Sequence, residues 1–254
     1  MHWIGLKTLI LRECGVIFRF WIVTLAPPVI TTVLYFTIFG EIIGKRIGSV
    51  DGFDYIQYLA PGLVVLWVVP YAYAHTAGGV LGARFFRYIE ELLVSPLPDW
   101  IVLLGYVMGG VIRGVLVGMA ALVTTVLFTH LHVHSVFASV AVVCLAALVS
   151  ALGGFITALL ANSFDQVTTI QTLIITPLMY VGGVFNSIAT LPGWAQRLSL
   201  ANPMFYAVNA VRYGFLGMSD VGCGKALLIM SAAGLILFVA AMKLMARGVG
   251  IRES

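Results

Sequence analysis

Long apolar runs, separated by short polar segments, set the pattern of this chain. A helix needs about 20 consecutive apolar residues to cross a bilayer, and six runs approach or exceed that length. The six predicted spans are Phe20–Phe39, Leu59–Gly82, Ile101–Phe128, Val136–Ala161, Val167–Phe185 and Ala226–Met245. The pattern therefore predicts an all-α membrane protein, a single domain over residues 1–254 with six transmembrane helices and both termini on one side.

The first 14 residues show a different pattern, in which charged residues interrupt a short apolar stretch. The apolar residues Trp3, Ile4, Leu6, Leu9 and Ile10 are set against Lys7 and Arg12. A helix with one apolar and one basic face lies along a membrane surface. Residues 1–14 therefore predict an interfacial helix, and they lack the long apolar core of a removed signal peptide.

One charged island stands between the second and third predicted spans. From Arg84 to Trp100 it reads RFFRYIEELLVSPLPDW, in a chain with only 9% charged residues. Arg87 lies three and four residues before Glu90 and Glu91, so opposite charges meet across one helical turn. The prolines at positions 96 and 98 then end this helix. A short helix held between two spans is suited to transmit force from a soluble partner; an ordinary solvated loop is the alternative.

A second unusual segment, 186–225, lies between the fifth and sixth predicted spans. A Leu191-Pro192-Gly193-Trp194 sequence opens a short amphipathic piece, and Asn202-Pro203 is a good cap and first-turn pair for a second helix. That second run carries Arg212 and is too short and polar to cross. The segment predicts two re-entrant half-helices in the outer leaflet. The alternative is a plain extracellular loop with one surface helix.

Composition excludes several classes of function. Hydrophobic residues make up 61% of the 254 residues, against about 45–50% in soluble domains, so little sequence remains for a separate soluble domain. No GxxxxGK[ST] motif is present, so the sequence offers no nucleotide site of its own. The net charge of +4 comes from scattered basic residues, which do not indicate nucleic acid binding.

The distribution of basic residues favours cytoplasmic termini, because positively charged loops stay in the cytoplasm. In the six-span topology seven basic residues share the side of the termini and five lie opposite. The seven are Lys7, Arg12, Arg84, Arg87, Lys243, Arg247 and Arg252; the five are Lys45, Arg46, Arg197, Arg212 and Lys225.

Arg113 is the candidate buried charge of the third predicted span. It lies near the middle of that span, where an ionised side chain needs protein, water or a partner charge. Pairing with a carboxylate or with backbone carbonyls, and contact with substrate, all remain open. Glycines at 105, 109, 110, 114 and 118 form small-xxx-small pairs that favour close helix packing over a substrate path.

Histidines and cysteines give no recognisable catalytic or metal motif. The alternating His130, His132 and His134 point to one side of an extended loop, but no carboxylate or cysteine stands nearby. We expect interfacial histidines there and no metal site, and a buried, satisfied imidazole at His75. The three cysteines, at 14, 144 and 223, lie too far apart in sequence to indicate a disulfide framework or zinc spacing.

Four stretches resemble the permease subunits of type-2 ABC exporters, over essentially the whole chain. They are VTLAPPVITTVLYFTIFG in the first span, ARFFRYIEELLVSPLPDW at the island, GYVMGGVIRGVLVGM after it, and TPLMYVGGVFNSIATLPGWAQRLSLANPMFYAVNAVRYGF. In the last stretch Pro177, Phe185, Leu191-Pro192, Asn202-Pro203 and Arg212 recur in the family's order. The chain looks most similar to a short bacterial inner-membrane subgroup whose ATPase is a separate chain.

The resemblance implies a homodimer with two ATPase subunits below it, which would bind ATP and Mg. No cofactor and no catalytic residue are expected in this chain. Residues 84–98 would form the coupling helix that contacts the ATPase, through Arg84, Phe85, Arg87, Tyr88, Glu90, Glu91, Leu92, Ser95 and Pro96. The first and fifth spans would line the dimer interface and translocation path, with Thr24, Thr31, Thr32, Tyr35, Thr172, Thr176, Met179, Tyr180 and Phe185. The outer gate would include Pro192, Trp194, Asn202, Pro203 and Arg212.

The resemblance therefore predicts an ATP-driven exporter permease of the bacterial inner membrane. Its substrate would be a lipid, a drug-like amphiphile or a lipid-linked glycan; no dense aromatic belt for sugars is evident along the channel. An ion-coupled carrier or channel would require acidic residues deep in the spans, whereas Glu41, Asp51 and Asp54 lie in loops. A membrane assembly factor that transports nothing is the remaining alternative.

Overall fold

The computed structural model describes residues 2–44, 49–50, 52–88, 97–129, 134–185, 187–188 and 191–250. In chain order the α-helices of this part are α1 (His2–Arg19), α2 (Trp21–Tyr35), α3 (Tyr55–Phe85), α4 (Asp99–Thr129), α5 (Val136–Leu160), α6 (Phe164–Ile170), α7 (Thr176–Val181), α8 (Gly193–Ala201), α9 (Pro203–Leu216) and α10 (Cys223–Ala246). A π-helix, Phe36–Gly44, extends α2, and a second, Gln171–Ile175, joins α6 to α7. A two-stranded antiparallel hairpin pairs β1 (Ser49–Val50) with β2 (Phe53–Asp54).

Five helices are long and apolar enough to cross a membrane, which confirms an all-α membrane protein. They are Trp21–Gly40, α3, α4, α5 and α10, and their ends lie within four residues of the first, second, third, fourth and sixth predicted spans. The fifth predicted span, Val167–Phe185, falls on the broken run from α6 to α7 and is not among the five. A sixth crossing there stays a prediction.

The break in this run has a local cause. Pro177 has no N–H to donate to the carbonyl four residues back, and the Thr176 hydroxyl donates to the carbonyl of Gln171, five residues back, at 3.1 Å. Wide π-type turns of this kind interrupt α-helices at functional sites more often than elsewhere.

The centre of the bundle is α3, and glycines of α4 let the two helices approach closely. In the most apolar stretch of α3, 72% of the residues are buried, against 22% for the first span and 17% for α10. A Cβ at Gly110 would lie 2.7 Å from the carbonyl oxygen of Ala72, and one at Gly114 would lie 2.9 Å from the Ala72 Cβ. The glycine stripe therefore serves helix packing, as its spacing predicted.

We call the two ends of the bundle the island end and the far end. At the island end Arg84, in the last turn of α3, donates to the carbonyls of Ala158, Leu159 (3.2 Å) and Ala161 (2.8 Å) at the end of α5. At the far end the Ser135 N–H, just before α5, donates to the Gly214 carbonyl of α9 at 2.8 Å. These contacts hold the ends of the long helices in register.

The N-terminal helix is longer than predicted and packs against protein. α1 runs from His2 to Arg19 rather than over 1–14. Its Leu9, Glu13 and Ile17 form one buried face, and a Cβ at Gly105 of α4 would lie 2.8 Å from the Leu9 Cβ. Ile4 (70% exposed) and Leu11 (59%) lie on the opposite face, so α1 still offers an apolar surface to a membrane.

The segment after α7 forms two helices, α8 and α9, with the predicted cap between them. The Asn202 side chain accepts from the Met204 N–H at 2.9 Å, and Pro203 takes the first helical position. The same amide donates to the carbonyl of Leu178 at 2.6 Å. Nearly every residue of α9 is buried, so its polar groups are covered by protein; its depth in a membrane stays a prediction.

Candidate functional site

A polar cluster joins α1, α3 and α4 at the island end. The carboxylate of Glu13 lies between Arg12, whose Nη2 is 3.1 Å from Oε1, and His75, whose Nε2 is 3.1 Å from Oε2. The His75 approach is off the N–H line, so the contact is electrostatic rather than a well-aligned hydrogen bond. Arg12 also donates to the Tyr106 hydroxyl at 2.9 Å. Both Glu13 (5% exposed) and His75 (6%) are buried, as expected for His75. The Nε2 of this imidazole has no hydrogen-bond partner among the described residues, so the expectation of a satisfied group is met only in part.

Arg113 extends this cluster toward the first span. Its Nη1 lies 3.4 Å from Nδ1 of His75, and its Nη2 donates to the Thr24 hydroxyl at 3.2 Å. Because arginine can only donate, Nδ1 of His75 accepts, and a neutral imidazole then carries its proton on Nε2, facing Glu13. The guanidinium also lies 5.6 Å from the centroid of the Tyr71 ring.

The contact with Thr24 relates the Arg113 side chain to the first span, and its depth in a membrane stays a prediction. In the sequence Arg113 lies near the middle of its span, but its side chain reaches Thr24, which lies in the first turn of the first span. One turn rises about 5 Å. The guanidinium is therefore near the island-end edge of that span.

Glu13 is the functional candidate that the sequence reasoning missed. Its signal was the spacing of Leu9, Glu13 and Ile17, which places a carboxylate between two apolar residues on one helical face. Burial alone would lower the pKa of the neighbouring Arg12, but the charges and hydrogen bonds of Tyr106 and Glu13 outweigh burial and raise it.

Four aromatic rings gather at the far end of α2 and α7. Tyr180 stacks on Phe185 with 5.5 Å between centroids, and Phe185 lies 6.0 Å from Tyr35 and 5.8 Å from Phe39. The sequence singled out three of these rings as path residues, and the structure adds Phe39, one turn after Tyr35 (5.6 Å). Tyr180 is about half exposed, so the cluster has an open side.

The other predicted path residues divide by exposure. Thr24 and Thr32 are buried within the chain, and Thr32 accepts from Nε1 of Trp67 at 2.9 Å. Met179 is also buried, whereas Thr172 is exposed. Thr31 and Thr176 are half-buried, and their hydroxyls donate to helix carbonyls.

The start of the charged island carries an exposed aromatic surface. Phe85 (71% exposed), Phe86 (64%) and Tyr88 (54%) follow the end of α3, and Phe85 lies 6.2 Å from the ring of Phe164 in α6. We call Phe85, Phe86 and Tyr88 the aromatic patch. Arg87 between them is exposed and has a positive φ of 60°. Phe86 was missed by the sequence reasoning.

One further residue of the predicted contact set, Arg84, lies inside the protein, and five others cannot be placed. Arg84 turns inward and caps α5 rather than lying on the surface. The residues Glu90, Glu91, Leu92, Ser95 and Pro96 lie outside the described part of the chain.

One residue of the predicted outer gate, Arg212, is buried and surrounded by protein contacts. Arg212 is 1% exposed; its Nη2 donates to the Gly183 carbonyl at 2.8 Å and its Nη1 lies 3.8 Å from Oδ2 of Asp220. Its guanidinium also sits 3.9 Å from the Tyr58 ring centroid. By contrast Trp194 is 72% exposed, and Pro192 precedes it at the N-terminus of α8.

Of the three alternating histidines, the structure describes His134. Its ring packs edge-on against Tyr213 at 5.8 Å, and its backbone N–H donates to Phe215. His130 and His132 lie outside the described residues.

Comparison with known proteins decides the family. The model of the ABC-2 type transporter family matches residues 5–216. The chain belongs to the ABC-2 type transporter family. It is 42% identical over 259 aligned residues to the inner membrane transport permease YadH of Escherichia coli K12, covering 100% of this chain and 99% of that relative.

More distant members align over about three quarters of the chain. Nodulation protein J of Rhizobium leguminosarum bv. viciae is 25% identical, covering 76% of this chain and 73% of that protein. The Rhizobium meliloti protein of that name is 26% identical, with 79% and 75% covered. Together with the five apolar helices, these similarities make the chain a multi-pass permease subunit of a bacterial inner-membrane ABC-2 transporter, and family membership implies an ATPase partner.

Proposed function

We propose that two copies of this permease subunit and two copies of a separate ATPase form an ATP-driven exporter. Each copy crosses the membrane six times, with the broken run from α6 to α7 as the fifth crossing and both termini in the cytoplasm. The ATPase binds ATP and Mg, and its closure pushes on residues 84–98. The permease then alternates between two states and releases an amphiphilic substrate outward.

The aromatic patch is the observation that carries the ATPase contact. Three large rings that are more than half exposed stand beside the charged island, outside the apolar stretches that a bilayer would cover. Contiguous exposed apolar surface of this kind marks an interaction site in soluble surroundings, and aromatic residues with arginine are enriched at protein interfaces.

Contacts behind the patch support force transmission. Arg84 holds the carbonyls at the end of α5, and Phe85 touches Phe164 at the start of α6. A push on the island therefore acts on α5 and on the run from α6 to α7. The far end of that run carries Tyr180 in the four-ring cluster.

The first span and the run from α6 to α7 have exposed faces, which support a dimer with a translocation path along α2 and α7. Most residues of the first span are not buried within one copy, and Leu173, Ile174 and Tyr180 are about half exposed or more. The open aromatic cluster suits an amphiphile with a sugar or ring that stacks on it. A lipid, a drug-like amphiphile and a lipid-linked glycan all fit this chemistry.

Copurification with the ATPase tests the proposal. In the Phe86→Ala/Tyr88→Ala variant, purified from its native membrane, we expect the amount of ATPase recovered with the permease to fall about tenfold, because two contact rings are lost. Phe137→Ala is the matched control, since Phe137 is 87% exposed at the far end. Equal ATPase recovery from both variants and the wild type would refute the contact.

A further inference from the structure

Two arginines among the described residues, the buried Arg212 and the half-buried Arg113, differ in how their charge is compensated. Arg212 has the carboxylate of Asp220, the carbonyl of Gly183 and the face of Tyr58 around it. Arg113 has two neutral partners, the Thr24 hydroxyl and the Nδ1 of His75, and the Tyr71 ring. Arginine stays ionised in proteins, and an ionised group at membrane depth needs a counter-charge.

Within the described residues, no carboxylate oxygen lies within 4 Å of Arg113. Glu13 is separated from it by the imidazole of His75 and is already paired with Arg12. With His75 neutral, two arginines face one carboxylate, so the cluster keeps one net positive charge. The Nε of Arg113 is buried and has no hydrogen-bond partner among the described residues.

The surroundings of Arg113 suit a ligand with a polar head and apolar tails. Arg113 is half-buried, the Tyr71 ring lies 5.6 Å from its guanidinium, and the Trp67 ring lies 6.4 Å from that of Tyr71. On α2, next to Thr24, Ile22 and Val23 are 59% and 67% exposed. Apolar tails can therefore lie along α2 while the head reaches the guanidinium. The edge of a span is also the level at which arginine side chains meet lipid phosphates.

We infer that Arg113, positioned by Thr24 and next to the Tyr71 ring, forms a binding site for the anionic head of an amphiphile. The head carries a phosphate or a carboxylate, which pairs with the guanidinium in charge-assisted hydrogen bonds. A bilayer phospholipid and a transported amphiphile share this chemistry. This inference can be tested independently of the proposed transport cycle, because binding is measured on the permease without an ATPase.

Binding of short-chain phosphatidic acid to the purified permease in neutral detergent tests this site. The dissociation constant is measured by native mass spectrometry for dioctanoyl phosphatidic acid, for dioctanoylglycerol, which has the same tails without phosphate, and for inorganic phosphate. We expect phosphatidic acid to bind the wild type about tenfold more tightly than dioctanoylglycerol, since a charge-assisted contact is worth about that factor. It should also bind more tightly than inorganic phosphate, which has no apolar tails to bury.

Variants then assign the effect to Arg113. Arg113→Gln should lose the preference for phosphatidic acid, and Arg113→Lys should retain part of it. Arg19→Gln is the matched control. Arg19 is exposed just before the first span, so this variant also removes one positive charge near the same edge. If Arg113→Gln does not fold, two measurements still test the inference: the comparison of phosphatidic acid with dioctanoylglycerol on the wild type, and the preference that Arg113→Lys retains.

Four results would overturn the inference. Equal binding of phosphatidic acid and dioctanoylglycerol to the wild type would show that no anion is recognised. An unchanged preference in folded Arg113→Gln, or an equal loss in Arg19→Gln, would remove Arg113 from the site. If inorganic phosphate bound as tightly as phosphatidic acid, the site would recognise a free phosphate ion and not an amphiphile.

Discussion

At the scale of single residues, Glu13 decides how α1 is attached to the bundle. A carboxylate on the buried face of a helix is costly unless it is paired. Here Arg12 and His75 both lie 3.1 Å from it, and a Cβ at Gly109 of α4 would lie 2.7 Å from the Glu13 Cβ. The glycine therefore makes room for the side chain that ties the N-terminal helix to α3 and α4.

We predict that Glu13→Ala lowers the free energy of unfolding by about 3 kcal/mol. This is the lower end of the cost of breaking a buried pair, because Arg12 remains half-exposed and regains water. Denaturant unfolding in detergent micelles measures the change. In a double-mutant cycle, His75→Ala should cost less in the Glu13→Ala background than in the wild type. Strictly additive effects would contradict a direct interaction between the two side chains.

At the scale of elements, the packing of α3 on α4 depends on missing side chains rather than on large ones. Without a hydrophobic drive between helices in lipid, close approach and van der Waals contact hold spans together. Gly154 of α5 extends the principle, since a Cβ there would lie 2.5 Å from the Tyr73 carbonyl oxygen. α3 is thus packed between α4 and α5, and both of these helices place glycine against its backbone.

We predict that Gly110→Ala lowers the free energy of unfolding by about 2 kcal/mol, because the new methyl meets the Ala72 carbonyl and the Thr76 side chain. Gly78→Ala is the control within α3, where an added Cβ meets nothing within 4 Å. That change should be neutral or stabilise by about 0.5 kcal/mol through helix propensity. Steric trapping or denaturant titration compares the two, and similar losses in both would argue against the packing role.

At the scale of the whole molecule, Arg84 links the island to helices that are distant in sequence. Its charge lies against the C-terminal carbonyls of α5, where a cation is favoured by the helix dipole. Gly250, beyond α10, approaches the same place, with its Cβ position 3.0 Å from Arg84 Cζ. The ends of α3, α5 and the C-terminal segment therefore meet at one guanidinium.

We predict that Arg84→Gln frays the end of α5, because charge-assisted hydrogen bonds to its carbonyls are lost. Hydrogen exchange of the last turn of α5, followed by mass spectrometry, should become about tenfold faster, which corresponds to about 1.4 kcal/mol. Arg87→Gln is the control, since Arg87 is exposed on the same island. Equally fast exchange in both variants would mean that Arg84 does not specifically stabilise the last turn of α5.

Much of the element map could be predicted from sequence because its causes are local. Apolar run length predicted the five long helices within a few residues, and the Asn202-Pro203 pair predicted the start of α9. The limits of α1 were wrong, since its continuation from residue 14 to Arg19 depends on packing along α4. The π-helix before Thr176 was also not foreseen, although Pro177 was among the positions that recur in the family's order.

The sequence by itself determined the class of this protein, its helices and the places where they end. These properties depend on hydrophobic length, proline and capping residues, which act within one element. Only the tertiary structure decided that His75 contacts both Glu13 and Arg113, that Arg84 turns inward and that Phe39 joins three other rings. Such contacts depend on which helix faces pack together, and a single sequence does not record the partner of each face.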